Sequence, residues 1–185
     1  MLHHERLARR FGWAMALFFL AGLLAALLMR LELIQPAGWL MQSDTFDKLF
    51  SLHGMVMVYF VMLPAFPALL GLTSLPRLTG RTAFAMPRLN TLAWWAYAAG
   101  ALLMTIAFLT GGVDTGWSFA TPYALASSPT PVVLVAIGVT GSALAILLLA
   151  VNLMATTHAR ATREPWHKGP LTVTGLYAGA LATLM

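Results

Sequence analysis

The chain has 185 residues, 59% of them hydrophobic and only 9% charged, against roughly 25% charged in a soluble domain. That deficit excludes a water-exposed globular fold and places the chain in a lipid bilayer. The net charge of +5 does not make a nucleic-acid surface, because the basic residues stand between apolar runs, and the absence of cysteine excludes disulfides, iron–sulfur clusters and thiolate zinc sites within the chain.

Three arginines, Arg6, Arg9 and Arg10, precede the first apolar run, Phe11 to Ile34. It is too long for a cleaved signal and lacks a small-residue cleavage site, so it predicts a span. A polar connection, Gln35 to Asp47, leads to the second run, Leu49 to Leu75. There Pro64 and Pro67 predict a kink whose freed carbonyls must be satisfied by neighbouring helices. Arg77, Arg81 and Arg88 fill the next loop, before the third run, Leu89 to Thr110. The long connection Gly111 to Thr130 follows, then the fourth run, Pro131 to Met154. Arg160, Arg163 and Lys168 separate that run from a fifth, Gly169 to Met185. The first four runs each reach the ~20 residues that cross ~30 Å of hydrocarbon, and the fifth falls short. The pattern predicts an all-α, polytopic transmembrane helix bundle of four full spans plus a truncated fifth, with no internal repeat and no second domain. The fifth run stops without a polar flank, which reads as the N-terminal piece of a larger protein or one part of a split subunit. A short fifth helix, accommodated by tilt or bilayer thinning, is the alternative.

Lysine and arginine also set an orientation. Nine basic residues flank the first, third and fifth runs on one side, against Arg30 and Lys48 on the other. The asymmetry predicts a cytoplasmic N-terminus, with the connections 35–47 and 111–130 facing outward.

His53 is the histidine that lies inside a membrane-length apolar run. Ionisable groups are costly in hydrocarbon and are usually kept for a purpose, and neutral imidazole ligates iron, copper or zinc. Arg30 lies about one turn before the end of the first span and His53 about one turn into the second. Antiparallel neighbours would place the two at similar depth. An imidazole and a guanidinium at one level suit a heme, the first on the iron and the second on a peripheral oxygen. The second ring nitrogen of His53 is then expected to bond a carbonyl or hydroxyl that fixes the tautomer. Leu49, His53, Met57 and Phe60 form one stripe at helical spacing, with Gly54 offering close approach. Blander readings stand beside these: an interhelical hydrogen bond for His53, snorkelling to the interface for Arg30, plain packing for the stripe. His3, His4, His158 and His167 fall on charged segments and are read as solvated.

The wording of the chain adds to this. Leu28-Met29-Arg30-Leu31-Glu32-Leu33 with Gln35-Pro36, then Lys48 to Phe60 around His53-Gly54, carry the first part of a resemblance. Met86-Pro87-Arg88-Leu89-Asn90 with Trp94-Trp95, and Thr115-Gly116-Trp117, carry the rest. In order and spacing these segments resemble subunit I of the heme–copper oxidases, the terminal respiratory oxidases. The resemblance covers residues 1–185, the N-terminal third of a twelve-helix subunit.

The resemblance implies that His53 is an axial ligand of a low-spin heme and that Arg30 bonds a substituent of that heme. It implies that Asn90 belongs to a proton pathway. The second axial ligand, the ligands of the oxygen-reducing heme and the copper-ligating histidines would come from later helices, so copper belongs only to the complete enzyme. The implied partners are the remainder of subunit I, subunits II and III, cytochrome c and the lipid bilayer, and not nucleic acid. The implied setting is the bacterial cytoplasmic membrane. There the enzyme passes electrons from cytochrome c toward a heme–copper site that reduces dioxygen and pumps protons. Quinol oxidases share the scaffold, and Pro87-Arg88-Leu89-Asn90 is closer to the cytochrome c branch. No catalytic residue is expected in this segment, which alone should be inactive.

Two positions depart from the family pattern. The aspartate that usually opens the proton pathway is replaced by Ala83, and an asparagine is missing around Leu72 and Thr73. Thr79 and Thr82 could order water there but hold no proton in reserve. Proton uptake is therefore expected through another route. The alternative function is a truncated, oxidase-derived membrane scaffold or assembly subunit without heme. A small transporter is weaker, since Thr140, Ser142 and the span-two prolines are its only supports.

Overall fold

The computed structural model describes residues 3–36, 38–126, 128–159 and 170–185. Arg160, Arg163, His167, Lys168 and the start of the fifth run lie outside the described residues. The described chain is all helical, without strands: α1 (His3–Glu32), α2 (Ser43–Leu78), α3 (Pro87–Leu109), the short α4 (Tyr123–Ala126), α5 (Val132–His158) and α6 (Leu171–Leu184). Helices α1, α2, α3 and α5 are long and apolar enough to cross a membrane, and α6 is a shorter apolar helix.

The helices overrun the apolar runs that predicted them. Helix α1 has 30 residues, about 45 Å at 1.5 Å per residue, so it extends beyond the ~30 Å hydrocarbon layer. Its extra turns at the start place His4, Leu7, Ala8 and Phe11 on one buried face. At its far end Glu32 turns back on the following loop. Its carboxylate accepts the backbone N–H groups of Trp39 (3.2 Å), Leu40 (2.7 Å) and Met41 (3.0 Å), which stops the helix and folds the connection.

Helix α2 does not simply kink. Its α-helical turns are interrupted by two π-helical stretches, Val56–Met62 and Phe66–Gly71, around Pro64 and Pro67. Pro64 has no N–H to offer the carbonyls four and five residues before it. Both find hydroxyls on other helices: Tyr97 on α3 donates to the Phe60 carbonyl (2.7 Å) and Ser142 on α5 donates to that of Tyr59 (2.5 Å). The neighbours thus satisfy the freed carbonyls, as the sequence required. Ser142 is fully buried in this structural duty.

The core lies where α1, α2, α3 and α5 meet, around Phe11, Phe60, Tyr97, Met55 and Leu149. Ring pairs Phe11–Tyr97 (5.1 Å), Phe18–Phe60 (5.0 Å) and Phe60–Tyr97 (5.7 Å) bind α1, α2 and α3 together. Helices α3 and α5 approach most closely through small residues. A Cβ added at Gly100 would sit 2.4 Å from the Gly138 carbonyl oxygen, and one at Gly141 would sit 2.9 Å from that of Ala96. Such contacts let backbones touch where lipid supplies no hydrophobic drive for association. The outer face of α1, including Leu17, Leu20, Leu24 and Leu27, is exposed and suits lipid or a protein neighbour.

Candidate functional site

His53 sits in the first half of α2, half-buried against α1. Its Nδ1 lies 2.9 Å from the backbone carbonyl oxygen of Gly22. A carbonyl can only accept, so Nδ1 carries the proton, and in the neutral ring Nε2 keeps a lone pair. This is the tautomer of a metal-binding histidine oriented by a second partner. The contact depends on Gly22 lacking a side chain. A Cβ there would stand 3.0 Å from Met57 Cγ and Sδ and 3.0 Å from Val56 Cγ2, so glycine lets α1 come close enough for its carbonyl to reach the imidazole. An isolated glycine in a Leu- and Ala-rich helix is the signal that could have marked it.

The loop before α4 closes over the same end of α2. Ser51 Oγ accepts the Gly116 N–H (2.9 Å), and Tyr59 donates to the Trp117 carbonyl (3.3 Å). Gly54 does permit a close approach, but the atoms that fill the space belong to Trp117. A Cβ on Gly54 would lie 2.8 Å from Trp117 Cβ. The structure therefore brings His53, Gly54, Gly22 and Trp117 together, joining two of the segments singled out in the sequence.

Three residues of the expected stripe face the same helix: His53 and Met57 both meet α1 at Gly22, and Phe60 packs on Phe18 one turn earlier in α1. Arg30 is exposed in the last turn of α1 and makes no hydrogen bond or ion pair with the described residues. It is also not level with His53. The imidazole bonds at Gly22, and eight residues of helix, about 12 Å at 1.5 Å per residue, separate Gly22 from Arg30. Only a ligand with some breadth would engage both. Among the described residues no three His, Asp or Glu side chains gather as a metal site, so a metal on His53 must take its other ligands elsewhere.

Asn90 lies at the opposite end, near the basic loop, and is buried. Its partner, which the sequence reading missed, is Asn152 on α5. The Asn152 amide grips the backbone of Met86 at both ends: it accepts the Met86 N–H (3.0 Å) and donates to the Met86 carbonyl (2.9 Å). It also donates to Asn90 Oδ1 (2.7 Å). Thr156, one turn on, accepts the Ala85 N–H (3.1 Å), so α5 fixes the loop that leads into α3. Thr79 is buried and spends its hydroxyl on the Leu75 carbonyl (2.8 Å).

His4 corrects the reading of solvated histidines. It is 4% exposed and packs edge-on to Phe84 at 5.7 Å. His3 and His158 are at exposed positions, bonded to Thr91 Oγ1 (3.1 Å) and Tyr177 Oη (3.0 Å).

A model of the family described as "Cytochrome C and Quinol oxidase polypeptide I" matches residues 6–185. A probable cytochrome c oxidase subunit 1-beta of Nocardia farcinica is 39% identical over 146 residues, covering 75% of this chain and 24% of that protein. A putative cytochrome c oxidase subunit 1-beta of Streptomyces coelicolor is 36% identical over 162 residues, covering 84% and 27%. A probable quinol oxidase subunit 1 of Staphylococcus aureus is 31% identical over 159 residues, covering 83% and 23%. The chain thus spans about a quarter of the length of these curated relatives.

Proposed function

The chain belongs to the cytochrome c and quinol oxidase polypeptide I family, and from that premise we propose that it is the low-spin-heme half-site of a respiratory terminal oxidase. It is an integral membrane protein, and its proposed setting is the bacterial cytoplasmic membrane with the N-terminus inside. His53 is proposed as one axial ligand through Nε2, and Arg30 as the group that bonds a substituent at the heme's edge. The observation that carries the assignment is the 2.9 Å contact from His53 Nδ1 to the Gly22 carbonyl.

That contact does three things for ligation. It holds the ring in one orientation, keeps the lone pair on Nε2, and makes the imidazole a better donor to iron. Arg30 adds a cation that has no protein counter-ion among the described residues and is available to an oxygen at the edge of a broad ligand. When bound, a low-spin heme supplies one-electron transfer. The donor is proposed to be cytochrome c, and the acceptor a heme–copper oxygen-reduction site built by the rest of the enzyme. The second axial ligand and the copper are likewise proposed to come from the remainder of subunit I, in a complex with subunits II and III.

The test is His53→Ala in the assembled enzyme, read by a pyridine hemochrome assay and the low-spin absorbance band. The band should disappear while the protein stays in the membrane. A normal band in that variant would sink the assignment, and a native enzyme free of heme would favour the scaffold reading.

A further inference from the structure

Where the start of α1 meets the end of α2, the surface carries an open groove of about 780 Å³, within the roughly 300–1,000 Å³ of small-molecule sites. Its α2 wall is Leu69, Thr73 and Arg77, whose four-residue spacing stacks them on one helical face. Its floor comes from α1, where Ala8, Gly12 and Ala16 recur at the same spacing beside Arg9 and Trp13. The floor is shallow because the side chains are small: a Cβ on Gly12 would already meet Leu69 Cδ2 at 3.5 Å.

The groove is graded in polarity, and both helices agree on the gradient. One end is ionic. Arg9 and Arg77 line it, Arg77 held by Glu5 at 2.7 Å, and Arg6 and Arg10 are exposed on the same turns of α1. Four arginines against one glutamate leave this end cationic. The other end is apolar. Ala16 lies seven residues beyond Arg9 and Leu69 eight before Arg77, about 10–12 Å at 1.5 Å per residue. Between the ends, Thr73 spends its hydroxyl hydrogen on the Leu69 carbonyl (2.5 Å), inside its own helix.

Depth in a bilayer follows from the same residues. The apolar run begins at Phe11, just past the arginines, so their guanidinium groups lie at headgroup level. Trp13 is 73% exposed one turn deeper, where an indole favours the interface. The occupant therefore has an anionic head and an apolar tail reaching about 10 Å into hydrocarbon. Free phosphate meets only the first requirement and a zwitterionic lipid only the second. A partner's helix is disfavoured, because helix ends on the basic side carry Lys and Arg and would meet like charge.

We propose that this groove binds one anionic phospholipid from the leaflet on the basic side. Arg9 and Arg77 hold its phosphate, and one acyl chain lies over Gly12 and Ala16 beside Leu69. Guanidinium matches phosphate through paired N–H bonds, and basic pockets between transmembrane helices select anionic headgroups. Glu5 is the positioning residue that aims Arg77 across the gap, so the lipid bridges α1 and α2. The proposal rests on membrane insertion and not on the heme assignment.

Native mass spectrometry of the assembled, purified enzyme, titrated with phosphatidylglycerol or phosphatidylcholine, tests it. Replacing both groove arginines, Arg9→Gln with Arg77→Gln, should weaken one phosphatidylglycerol site about 25-fold, roughly fivefold per charge, and leave phosphatidylcholine binding unchanged. Arg6→Gln with Arg10→Gln removes the same charge outside the lining and should leave the site filled. An equal loss in that pair would show diffuse surface attraction and overturn the proposal. Ala16→Phe, at an exposed position, fills the tail end without changing charge or the Arg77–Glu5 pair and should also empty the site. Native phosphatidylglycerol binding in Ala16→Phe would overturn the proposal even if the arginine variants fail to assemble. In vesicles of equal phosphatidylglycerol and phosphatidylcholine, a photoreactive benzoylphenylalanine replacing Trp13 should cross-link mainly to phosphatidylglycerol. Cross-links to another protein chain, or to both lipids equally, would overturn it. None of these readouts needs heme or turnover.

Discussion

Replacing Gly22 by alanine should loosen the His53 site while leaving the bundle folded. The new methyl would stand 3.0 Å from Met57 Cγ and Sδ and from Val56 Cγ2, whereas comfortable carbon contacts are about 3.5–4.0 Å. Met57 can rotate, but Val56 is buried and β-branched, so its side chain is stiff. The helices must therefore part by about 0.5–1 Å. The 2.9 Å contact of His53 with the Gly22 carbonyl then opens beyond the ~3.2 Å limit of a good N–H···O bond. Overpacking costs about 1–3 kcal/mol and the lost bond about 1 kcal/mol, offset by about 1 kcal/mol from alanine's better helix propensity. The net loss of stability is modest. Loss of the orienting partner, by contrast, should weaken heme retention about 10–100-fold. Heme content per assembled enzyme and the ¹⁵N shifts of His53 report the two effects separately. Gly12→Ala is the control, since its methyl would meet only Leu69 Cδ2 at an ordinary 3.5 Å. Native heme content and an unchanged tautomer in Gly22→Ala would refute the reasoning, as would an equal loss in Gly12→Ala.

Other variants probe the remaining parts of the structure. Arg30→Met should shift the low-spin absorbance maximum and midpoint potential without disturbing assembly; an unchanged redox titration would reduce Arg30 to an interfacial anchor. Tyr97→Phe strips the hydroxyl from the Phe60 carbonyl and should cost about 1–2 kcal/mol in detergent unfolding, less in a Pro64→Ala background where the backbone can satisfy itself. Burial pushes the Asp114 carboxyl up, but hydrogen bonds from Tyr123, Ser128 and Thr130 outweigh it and hold the group below its ordinary range. Its folded pKa is thus depressed, so the stabilisation is fully present at neutral pH and is lost as pH falls through that lowered value. Hydrogen-exchange protection over residues 112–126 should hold down to about pH 5 and fall below about pH 4. In Asp114→Asn protection should be low at every pH, and protection that stays pH-dependent there would place the effect elsewhere.

The four spans were legible because an apolar helix long enough to cross a bilayer leaves an unbroken signature. His53 was legible for the converse reason, being an ionisable group where none is cheap. Its bond partner was not, because the reach of a backbone carbonyl depends on how closely two helices approach. The π-helical stretches of α2 were hidden by uniform apolarity, which leaves no periodicity from which to read a change of turn. His4 was misjudged by its neighbours His3, Glu5 and Arg6. The signal was present: His4, Leu7, Ala8 and Phe11 recur at the spacing of one helical face. Asn152 gave no warning because its role is to clasp the backbone at Met86, distant in sequence.

The wide turns of α2 also settle how its two ends relate. Each wide turn holds one more residue than an α turn, and one extra residue swings all that follows by about 100°. The half that presents His53 to α1 and the half that buries Leu72 and Leu75 are therefore set in register by these turns, and the second half also meets α1, through Leu69 at Gly12 and Arg77 at Glu5. The wide turn that begins three residues after His53 is held by hydroxyls from α3 and α5. Tyr97 and Ser142 thereby tie the turn that follows His53 to α3 and α5, while the imidazole itself is tied to α1.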